Sequence, residues 1–319
     1  MLREKIKRTI ACQYAHWRTF EWHYVENHAA LRKFVFLHCR HWYTKLRYRI
    51  TFGTEMNMKN PSTFHEKLFW LSVNYRHPLI MQCADKYRVR EYVAGCGCED
   101  ILNEQYGAYD NANEIDWSAL PQKFVIKGNR SSGDNFFCLD KQGLNIEEAM
   151  ALLSKWKNHD YGINTAEYQY YKMPFKLICE KYLIEKPTDE MMEYQFFCFN
   201  GVPSSILVRN DLETSGKQPF AESYSMDWRR EYLRRNEEKF DVQVPKPKNF
   251  DKMVEYAKRL CAPFPHVRVD FYEVGGKLYF GELTFSTHGN VFSNYKESTL
   301  ETWNKLLIIP KPYNGKDRY

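Results

Sequence analysis

The segment at residues 266–290 (HVRVDFYEVGGKLYFGELTFSTHGN) restricts the possible folds of this chain more than any other. Two runs of strand-like residues flank Gly275-Gly276, a pattern typical of a short antiparallel hairpin. In the first run polar and apolar residues alternate, so the apolar side chains would share one face of the sheet and enter the core. These apolar positions are Val267, Val269 and Phe271.

Charged and polar side chains occupy the opposite face of this predicted hairpin. Arg268 and Asp270 alternate with the apolar residues, and Glu282 and Thr284 share a face of the second strand. Magnesium prefers carboxylate oxygens, and an arginine can neutralise a transferring phosphoryl group. The pattern therefore favours a magnesium–polyphosphate site, and the alternative is an amphipathic hairpin whose charged face is solvated.

The length of the hairpin loop decides whether the two carboxylates can meet. A strict two-residue turn at Gly275-Gly276 would place Asp270 opposite Gly281 and would turn Glu282 to the other face. A loop of odd length, such as a three-residue turn with a glycine bulge, returns both carboxylates to one face. The metal-site interpretation therefore predicts an odd-length loop.

Length and composition predict a globular cytoplasmic protein. The chain has 319 residues, of which 44% are hydrophobic and 16% aromatic, enough for a large core in two or three subdomains. No apolar run approaches the roughly 20 residues needed to cross a bilayer, and no secretory signal pattern is present. The nine cysteines are scattered and odd in number, which is typical of a reduced protein. Cys96 and Cys98 are too closely spaced for a zinc knuckle.

The positive charge is concentrated in residues 1–50. This region holds eleven lysines and arginines against three glutamates, a net charge of +8. The whole chain has a net charge of +6, so the other residues together carry −2. A basic, aromatic-rich segment can lie on an anionic membrane or lipid-linked glycan, can bind nucleic acid, or can be helices with solvated basic faces. Binding to a membrane or lipid-linked glycan and helices with solvated basic faces are the favoured alternatives. No nucleic-acid partner is expected. The protein could thus be peripheral at the inner membrane face.

A second polyphosphate pattern lies at residues 123–139. Lys127 ends a predicted strand, residues 128–134 (GNRSSGD) form a loop, and another strand follows. Such a loop can place backbone amides and an ammonium group along a polyphosphate, and a plain hairpin turn is the alternative. The loop is no Walker A motif, because G-x₄-G-K-[ST] is missing. It is no dinucleotide fingerprint either, since it leads to a strand.

The remaining sequence pattern predicts an α+β protein. Residues 1–50 contain no glycine or proline and are expected to be mainly helical. A helix capped by Ser62 or Thr63 follows, and another is expected over residues 250–260. Asn200-Gly201 predicts a further hairpin. Helices that precede and interleave with antiparallel hairpins indicate the α+β class.

Five motifs occur in an order that resembles the TupA-like ATP-grasp family, which is associated with bacterial surface polysaccharide synthesis. The similarity runs from about residue 52 to residue 303 and leaves the basic N-terminus outside. The motifs are KNPSTFHEK (59–67), DKYRVREYV (85–93), PQKFVIK (121–127), FFCFNG (196–201) and GELTF (281–285).

The resemblance implies an ATP-grasp fold in which two α+β subdomains clasp the nucleotide. Residues 51–120 would form an N-terminal helical or α+β subdomain after the basic helical region. Residues 121–184 would form the central subdomain, with the phosphate lid and adenine hinge. Residues 185–310 would form the C-terminal subdomain with the metal site, and residues 311–319 a frayed tail.

The resemblance also implies which residues bind the phosphates of ATP. Lys127 would contact them, and Lys86 would be the second phosphate lysine. Family members often carry histidine and glycine where Arg130 and Ser131 stand, so Arg130 is either a further phosphate clamp or a solvated side chain. The mobile lid over the phosphates would consist of Asn129, Ser131, Ser132 and Gly133.

For the base and ribose, the resemblance implies contacts on and after the Glu-Lys-Tyr-Leu strand. Glu180 would accept a hydrogen bond from the adenine amine, and Lys181 and Leu183 would present backbone groups. Glu193 would bind the ribose, with Glu185 and Asp189 as competing candidates.

For the chemistry, the resemblance implies a magnesium site at Asp270, Glu282 and Thr284. Thr284 stands where many ATP-grasp enzymes carry a metal-binding asparagine and is a poorer ligand, so the number of metal ions is open. Arg268 would stabilise the transferred phosphoryl group beside Lys127. His288 is the one candidate acid or base after the metal strand, and the alternative is an ordinary loop residue.

The activity implied is carboxylate–amine ligation through an acyl phosphate, with ATP and Mg²⁺. The substrates would be a carboxylate-bearing glycan, such as a uronic acid of a capsular or other surface polysaccharide, and an amino acid or other amine. The alternatives are a glycan phosphotransferase, which leaves phosphate on its acceptor, and a non-catalytic module that binds nucleotide and polyanionic glycan.

Overall fold

The structure is a computed structural model that describes residue 25 and residues 27–186, 190–210, 220–237 and 243–311. It consists of helices around two antiparallel sheets, as expected for the α+β class. The helices predicted before residue 25 and the tail predicted after residue 311 lie outside this range. No helix in the described part of the chain is long and apolar enough to span a membrane.

The helices predicted after Ser62 or Thr63 and over residues 250–260 are present, whereas Pro78–Ala84 and Tyr161–Thr165 were not predicted. Helix α3 starts after Thr63, whose hydroxyl and Glu66 form a reciprocal capping box. The helices are α1 (Ala29–His38), α2 (Arg40–Phe52), α3 (Phe64–Asn74), α4 (Pro78–Ala84), α5 (Val89–Gly95), α6 (Ile146–Trp156), α7 (Tyr161–Thr165), α8 (Phe250–Cys261) and α9 (Glu297–Leu306).

Helices α1 and α2 belong to the basic N-terminal region, and they pack against the body of the protein. Phe36, Tyr43 and Leu46 are each at most 2% exposed. The ring of Phe36 stacks on Tyr168 at 4.4 Å. For residues 29–50, the structure therefore shows helices packed on the body, with Lys33 and Lys45 exposed and the arginines partly buried.

The smaller sheet has four antiparallel strands in the order β1-β4-β2-β3. Phe124 and Ile126 on one face pack against Leu153 of α6. Lys127 and Glu180 point to the opposite face, because alternate residues of a strand face opposite sides. The strands are β1 (Gln105–Tyr109), β2 (Phe124–Gly128), β3 (Asn135–Cys138) and β4 (Leu177–Lys181).

The larger sheet has six antiparallel strands in the order β10-β9-β5-β6-β7-β8. Val269 and Phe271 on one face pack against Met253, Ala257 and Leu260 of α8, which recur at helical spacing. The opposite face carries the charged residues of the hairpin. The strands are β5 (Met191–Phe199), β6 (Val202–Asn210), β7 (Ala221–Ser225), β8 (Arg230–Glu231), β9 (His266–Val274) and β10 (Lys277–Thr284).

The predicted subdomain boundary at residue 120 is wrong. Strand β1 lies before it in the chain, yet it pairs with β4 along the edge of the smaller sheet. Val89 and Val93 of α5 lie in the same core as the larger sheet. Residues 51–120 are therefore divided between the cores of both sheets and form no separate subdomain.

Candidate active site

A cleft between the two sheets brings together most of the side chains singled out in the sequence. It encloses about 2010 Å³, including the part open to solvent. The smaller sheet contributes Lys127 and Glu180, and the larger sheet contributes Glu193 and Glu282. Lys86 enters from the segment between α4 and α5. Cationic and anionic groups thus face one another across a space large enough for a nucleotide.

Arg268 binds both carboxylates of the β9–β10 hairpin. Its Nε lies 2.8 Å and 3.0 Å from the two oxygens of Asp270, and its Nη2 lies 2.5 Å from Asp270 Oδ2. The same Nη2 donates to Glu282 Oε1 at 3.1 Å and to Thr284 Oγ1 at 3.2 Å. The four side chains predicted to share a face therefore do share it.

The two carboxylates differ in their access to the cleft. The Asp270 side chain is fully buried behind Arg268, whereas that of Glu282 is 42% exposed. Burial raises the pKa of Asp270 to about 8, and the guanidinium of Arg268 opposes that rise. Burial also disfavours ionisation of Glu282, but Arg268 and Lys86 outweigh it and lower the pKa of Glu282. Glu282 is thus the carboxylate of the hairpin that is open to the cleft.

The register that joins these carboxylates arises inside strand β10, so the predicted odd-length loop is wrong. Gly275-Gly276 is a two-residue turn, because Val274 pairs directly with Lys277. The register shifts between Phe280 and Glu282, where Gly281 is the extra residue of a bulge. The bulge, and not the loop, pairs Glu282 with Asp270.

Glu180 lies between two cations on the cleft face of the smaller sheet. Lys127 Nζ donates to its Oε2 at 2.9 Å, and Arg90 Nη1 donates to its Oε1 at 3.4 Å. The residue is 9% exposed, so this cluster is well shielded from water. Its predicted contact with adenine stays a prediction, and the structure shows that a base amine would have to share the carboxylate with Lys127 and Arg90.

Of the four predicted lid residues, two line the cleft and two are buried. Ser132 and Gly133 line the cleft, and Gly133 has a φ of +90°. Asn129, by contrast, is fully buried, and its Nδ2 donates to Asp85 Oδ1 and to a backbone carbonyl, both at 2.9 Å. Ser131 is 2% exposed, and its hydroxyl donates to Asp134. Asn129 and Ser131 therefore hold the shape of the loop instead of covering the phosphates.

Arg130 is neither a phosphate clamp nor a solvated side chain. Its guanidinium donates to the carbonyl oxygens of Met173 at 3.1 Å and of Lys157 at 2.7 Å, and it lies over the ring of Phe175. These contacts tie the loop to the segments before β4 and after α6.

Lys86 binds this loop and lies near Glu282 of the β9–β10 hairpin. Its ammonium donates to the carbonyl of Ser131. Burial lowers the pKa of Lys86, an effect that the negative charge of Glu282 opposes and the positive charge of Lys127 reinforces. The two predicted phosphate lysines therefore lie on the same side of the cleft, near Glu282.

The predicted base-binding segment follows β4. The backbone N–H of Lys181 donates to Glu104 O at 2.9 Å, and its carbonyl accepts from Asn103 Nδ2 at 2.8 Å. Leu183 lines the cleft nearby. Both residues reach the cleft, and their contacts with adenine stay predictions.

The predicted ribose residue, Glu193, lies in the cleft but is already paired. Arg209 Nε contacts Glu193 Oε2 at 2.9 Å, and Gln195 Nε2 donates to Glu193 Oε1 at 2.9 Å. Of the competing candidates, Glu185 pairs with Lys181 outside the cleft lining, and Asp189 lies outside the described residues. Glu193 remains the candidate that lines the cleft.

Sequence reasoning missed the two arginines that complete these ion pairs. Arg90 was assigned no role, although its spacing of four residues from Lys86 on a predicted helix indicates that the two share one side. Arg209 gave no such signal. A bulge after Phe197 places Arg209 opposite Glu193, and a regular hairpin would have placed it on the other face.

His288 follows the hairpin with a φ of +51° and is exposed. Partial burial and the charges of Arg268, Arg209 and Arg234 lower its pKa. The three guanidinium groups thus act on the pKa of His288 in the same direction as its burial. Its role as an acid or base stays a prediction.

The donor set at the hairpin fits magnesium. The described residues contain no cluster of three His, Cys, Asp or Glu side chains that could hold a metal alone. Magnesium, however, is commonly bound by one or two carboxylates together with substrate phosphates. Glu282 is open to the cleft and Asp270 lies beside it, so the two can supply that share once Arg268 gives up part of its contact with Asp270.

A family model described as TupA-like ATPgrasp matches residues 66–305. A comparison with curated protein sequences gives no match. Among solved structures, D-alanine–D-alanine ligase from Helicobacter pylori is 17% identical over 75% of this chain and 62% of its own, with a TM-score of 0.43. The corresponding enzyme from Bacillus anthracis is 15% identical over 64% of this chain and 57% of its own, with a TM-score of 0.37.

N5-carboxyaminoimidazole synthase from Aspergillus clavatus is 12% identical over 65% of this chain and 45% of its own, with a TM-score of 0.38. The chain thus spans less than two thirds of the length of these enzymes. The likeness is too distant to transfer substrates or residue roles.

Proposed function

The chain belongs to the TupA-like ATP-grasp family and is an ATP-grasp enzyme, and we propose that it ligates a carboxylate to an amine at the expense of ATP. One observation carries the proposal. Lys86 and Lys127 line the same cleft as Glu282, and Arg268 joins Glu282 to the buried Asp270. Cations for the phosphates and hard oxygen ligands for a metal therefore meet where a phosphoryl group could be transferred.

The nucleotide would lie between the two sheets with its phosphates toward Lys86 and Lys127. Ser132 and Gly133 line the same cleft, and backbone amides of such a loop would suit phosphate oxygens. Glu180 and Glu193 lie in the remaining part of the cleft, where the base and ribose would bind.

Glu282 and Asp270 would hold magnesium, which would neutralise charge on the phosphates. Arg268 lies beside both carboxylates and would stabilise the transferring phosphoryl group. In the first step a substrate carboxylate oxygen attacks the γ-phosphorus and the bond to the β-phosphate oxygen breaks, giving an acyl phosphate and ADP. In the second step an amine attacks the acyl carbon, phosphate leaves with the bonding electron pair, and the amine loses a proton.

The proposed carboxylate substrate is a uronic acid of a bacterial surface polysaccharide, and the proposed amine is an amino acid. The family resemblance suggests the polysaccharide.

The test is release of ADP and phosphate by the purified full chain with Mg·ATP, uronate oligosaccharides and a panel of amino acids. Turnover that requires both substrates, with an amide in the product, is expected. Phosphate retained on the glycan would instead identify a phosphotransferase. Nucleotide binding without any acceptor-dependent turnover would refute the ligase proposal.

A further inference from the structure

Helices α1 and α2 form a segment that carries positive charge and no acidic side chain. Residues 27–54 contain six lysines and arginines and no aspartate or glutamate. The first turns of both helices also lack acidic residues, although a carboxylate there would favour the positive end of the helix dipole. The arginines are partly buried, so Lys33 and Lys45 carry the fully exposed charge of the two helices.

Two large aromatic side chains of the same helices are exposed. Phe34 of α1 is 56% exposed and Trp42 of α2 is 48% exposed, the highest values for Phe, Tyr or Trp in the described part of the chain. Phe36 and Tyr43, by contrast, are at most 2% exposed and supply the packing against the body. The core therefore does not use the rings of Phe34 and Trp42, and their apolar surface stays in water at a cost.

The exposed rings and lysines form one continuous surface. The ring centroids of Phe34 and His38 are 4.8 Å apart, and His38 and Trp42 line the same groove at the junction of the two helices. Lys45 follows Trp42 by three residues and so lies on the same side of α2. Lys33 precedes Phe34 and is exposed beside it. We call these five residues the basic aromatic surface.

This combination of groups matches the interface of an anionic membrane. Aromatic rings are favoured at the level of the lipid headgroups, where the ring leaves water and the indole N–H of a tryptophan stays hydrated. Lysine side chains can extend from that depth to the lipid phosphates, and each adds to the attraction. A soluble polyanion would use the charge but would leave the rings in water. Nucleic acid would stack its bases on free ring faces, and the ring of His38 already lies against that of Phe34.

We propose that the basic aromatic surface binds an anionic lipid bilayer peripherally. Phe34 and Trp42 enter the headgroup region, and Lys33 and Lys45 contact the lipid phosphates. Among the described residues, those that line the nucleotide cleft include none from α1 or α2. The inference is therefore independent of the proposed ligase function, and nucleotide affinity can report whether a variant is folded.

The experiment is flotation of the full chain with vesicles of phosphatidylcholine alone and of phosphatidylcholine that contains phosphatidylglycerol. Partition onto the anionic vesicles should exceed that onto the neutral ones at least tenfold. Salt at about 1 M should reduce this partition strongly, because it shortens the screening length to about 3 Å.

The double variant Phe34→Ser with Trp42→Ser removes the rings and keeps the charge. It should weaken partition onto the anionic vesicles at least tenfold. The matched control is Leu139→Ser with Ile146→Ser, at positions that are 54% and 41% exposed, and it should stay within twofold of the original chain. Affinity for a fluorescent ATP analogue should stay within twofold in both.

The double variant Lys33→Gln with Lys45→Gln removes the charge and keeps the rings. It should also weaken partition at least tenfold, since each lysine near an anionic surface contributes to binding. Lys248→Gln with Lys258→Gln removes the same charge from other exposed positions and should have less than a threefold effect.

Three outcomes overturn the inference. The first is absent binding, or equal binding to neutral and anionic vesicles. The second is unchanged partition of the Phe34→Ser and Trp42→Ser double variant, which would assign the membrane contact to another part of the chain. The third is dimerisation or oligonucleotide binding that depends on these residues while vesicles do not bind, which would identify a second copy of the chain or nucleic acid as the partner.

Discussion

Gly281 determines the register on which the candidate metal site depends. A Cβ at this position would lie 2.9 Å from the carbonyl oxygen of Asp270 and 3.1 Å from the ring of Tyr272. Both neighbours belong to the paired strand, so neither can move without disturbing the sheet. Only glycine fits the bulge that brings Glu282 opposite Asp270.

We therefore expect Gly281→Ala to lower Mg²⁺-dependent ATP turnover at least tenfold and to lower the free energy of unfolding by about 1–3 kcal/mol. The measurements are ADP release and denaturant unfolding. Gly95→Ala is the matched control, because nothing lies within 4 Å of the added carbon at the end of α5. Equal activity of the two variants would contradict the role of the bulge.

Glu180 compensates two cations inside the cleft, so its charge matters more than its size. Glu180→Gln would leave Lys127 and Arg90 facing one another without their shared carboxylate. We expect weaker ATP binding, by at least tenfold, measured by titration of a fluorescent nucleotide analogue. Glu185→Gln removes the exposed partner of Lys181 and should change the affinity less than twofold. Similar affinities for both variants would show that Glu180 has no part in the nucleotide site.

Buried histidines make stability depend on acidity. Burial lowers the pKa of His65 and of His266 to about 4, while an unfolded histidine titrates near 6.5. The unfolded state therefore binds more protons between these values, and stability that is present above pH 6.5 is lost as the pH falls toward 4. We expect roughly 2 kcal/mol from His65, whose ring is partly exposed.

His65→Gln tests this dependence, because a glutamine oxygen can still accept from the Phe292 N–H, as His65 Nε2 does at 3.2 Å. Urea unfolding between pH 7 and pH 4 should show a shallower loss of stability for this variant. His38→Gln, at an exposed position, should retain the original slope. An unchanged slope in His65→Gln would contradict the prediction.

At the residue scale, side-chain faces were more predictable than side-chain partners. Alternation placed Arg268, Asp270, Glu282 and Thr284 on one face, because strand geometry allows only two faces. The pairing of Arg209 with Glu193 could not be foreseen. It depends on a bulge that packing, and not local sequence, selects.

At the element scale, α3 is tied to the last helix by a single lysine. Lys67 Nζ donates to the carbonyls of Asn304 at 2.6 Å and of Leu307 at 2.8 Å, at the C-terminal end of α9. A cation there satisfies carbonyls that the helix itself leaves unpaired and favours the negative end of its dipole.

Lys67→Met should therefore lower the free energy of unfolding by about 1–2 kcal/mol while it keeps most of the side-chain volume. Lys59→Met, at an exposed position, is the control and should change stability by less than about 0.5 kcal/mol. Thermal and urea unfolding provide the measurement, and equal stability of the two variants would show that the contact contributes nothing.

Elements with strong local signals were predicted well, and elements defined by distant pairing were not. Thr63 capped α3, and Asn200-Gly201 formed a two-residue turn with both residues at positive φ. Strand β1 was missed, because its residues are half-buried along their whole length and give no clear alternation. It is a strand because it pairs with β4.

At the scale of the whole molecule, the nucleotide cleft couples both sheets to one ligand. A ligand that binds only the folded protein raises the free energy of unfolding, by about 2.7 kcal/mol at a hundredfold excess over its Kd. A non-hydrolysable ATP analogue with Mg²⁺ should therefore shift unfolding by this amount. Glu282→Gln should reduce the Mg²⁺-dependent part of the shift, and a full shift in this variant would exclude Glu282 as a ligand.

The overall architecture could be predicted from the order of the motifs. The small cavity beside the hairpin, outside the nucleotide cleft, could not be predicted. Its walls come from α3, α4, the turn at Tyr168–Tyr170 and the ends of the hairpin, which are far apart in the chain. No local sequence pattern indicates that these distant segments come together in the fold. The subdomain boundaries failed for the same reason, since Val93 of α5 belongs to the core of the larger sheet.

Arg268 gives the β9–β10 hairpin a built-in counter-ion. With one guanidinium between Asp270 and Glu282, the strands need no dissolved cation to relieve the repulsion of two neighbouring carboxylates. A metal held by Asp270 and Glu282, as we propose, would replace the arginine as their positive partner, and the guanidinium would then be available to the phosphoryl oxygens. The hairpin can thus fold without a bound cation. In the proposed reaction, the same guanidinium would contact the substrate's phosphoryl oxygens once magnesium and ATP bind.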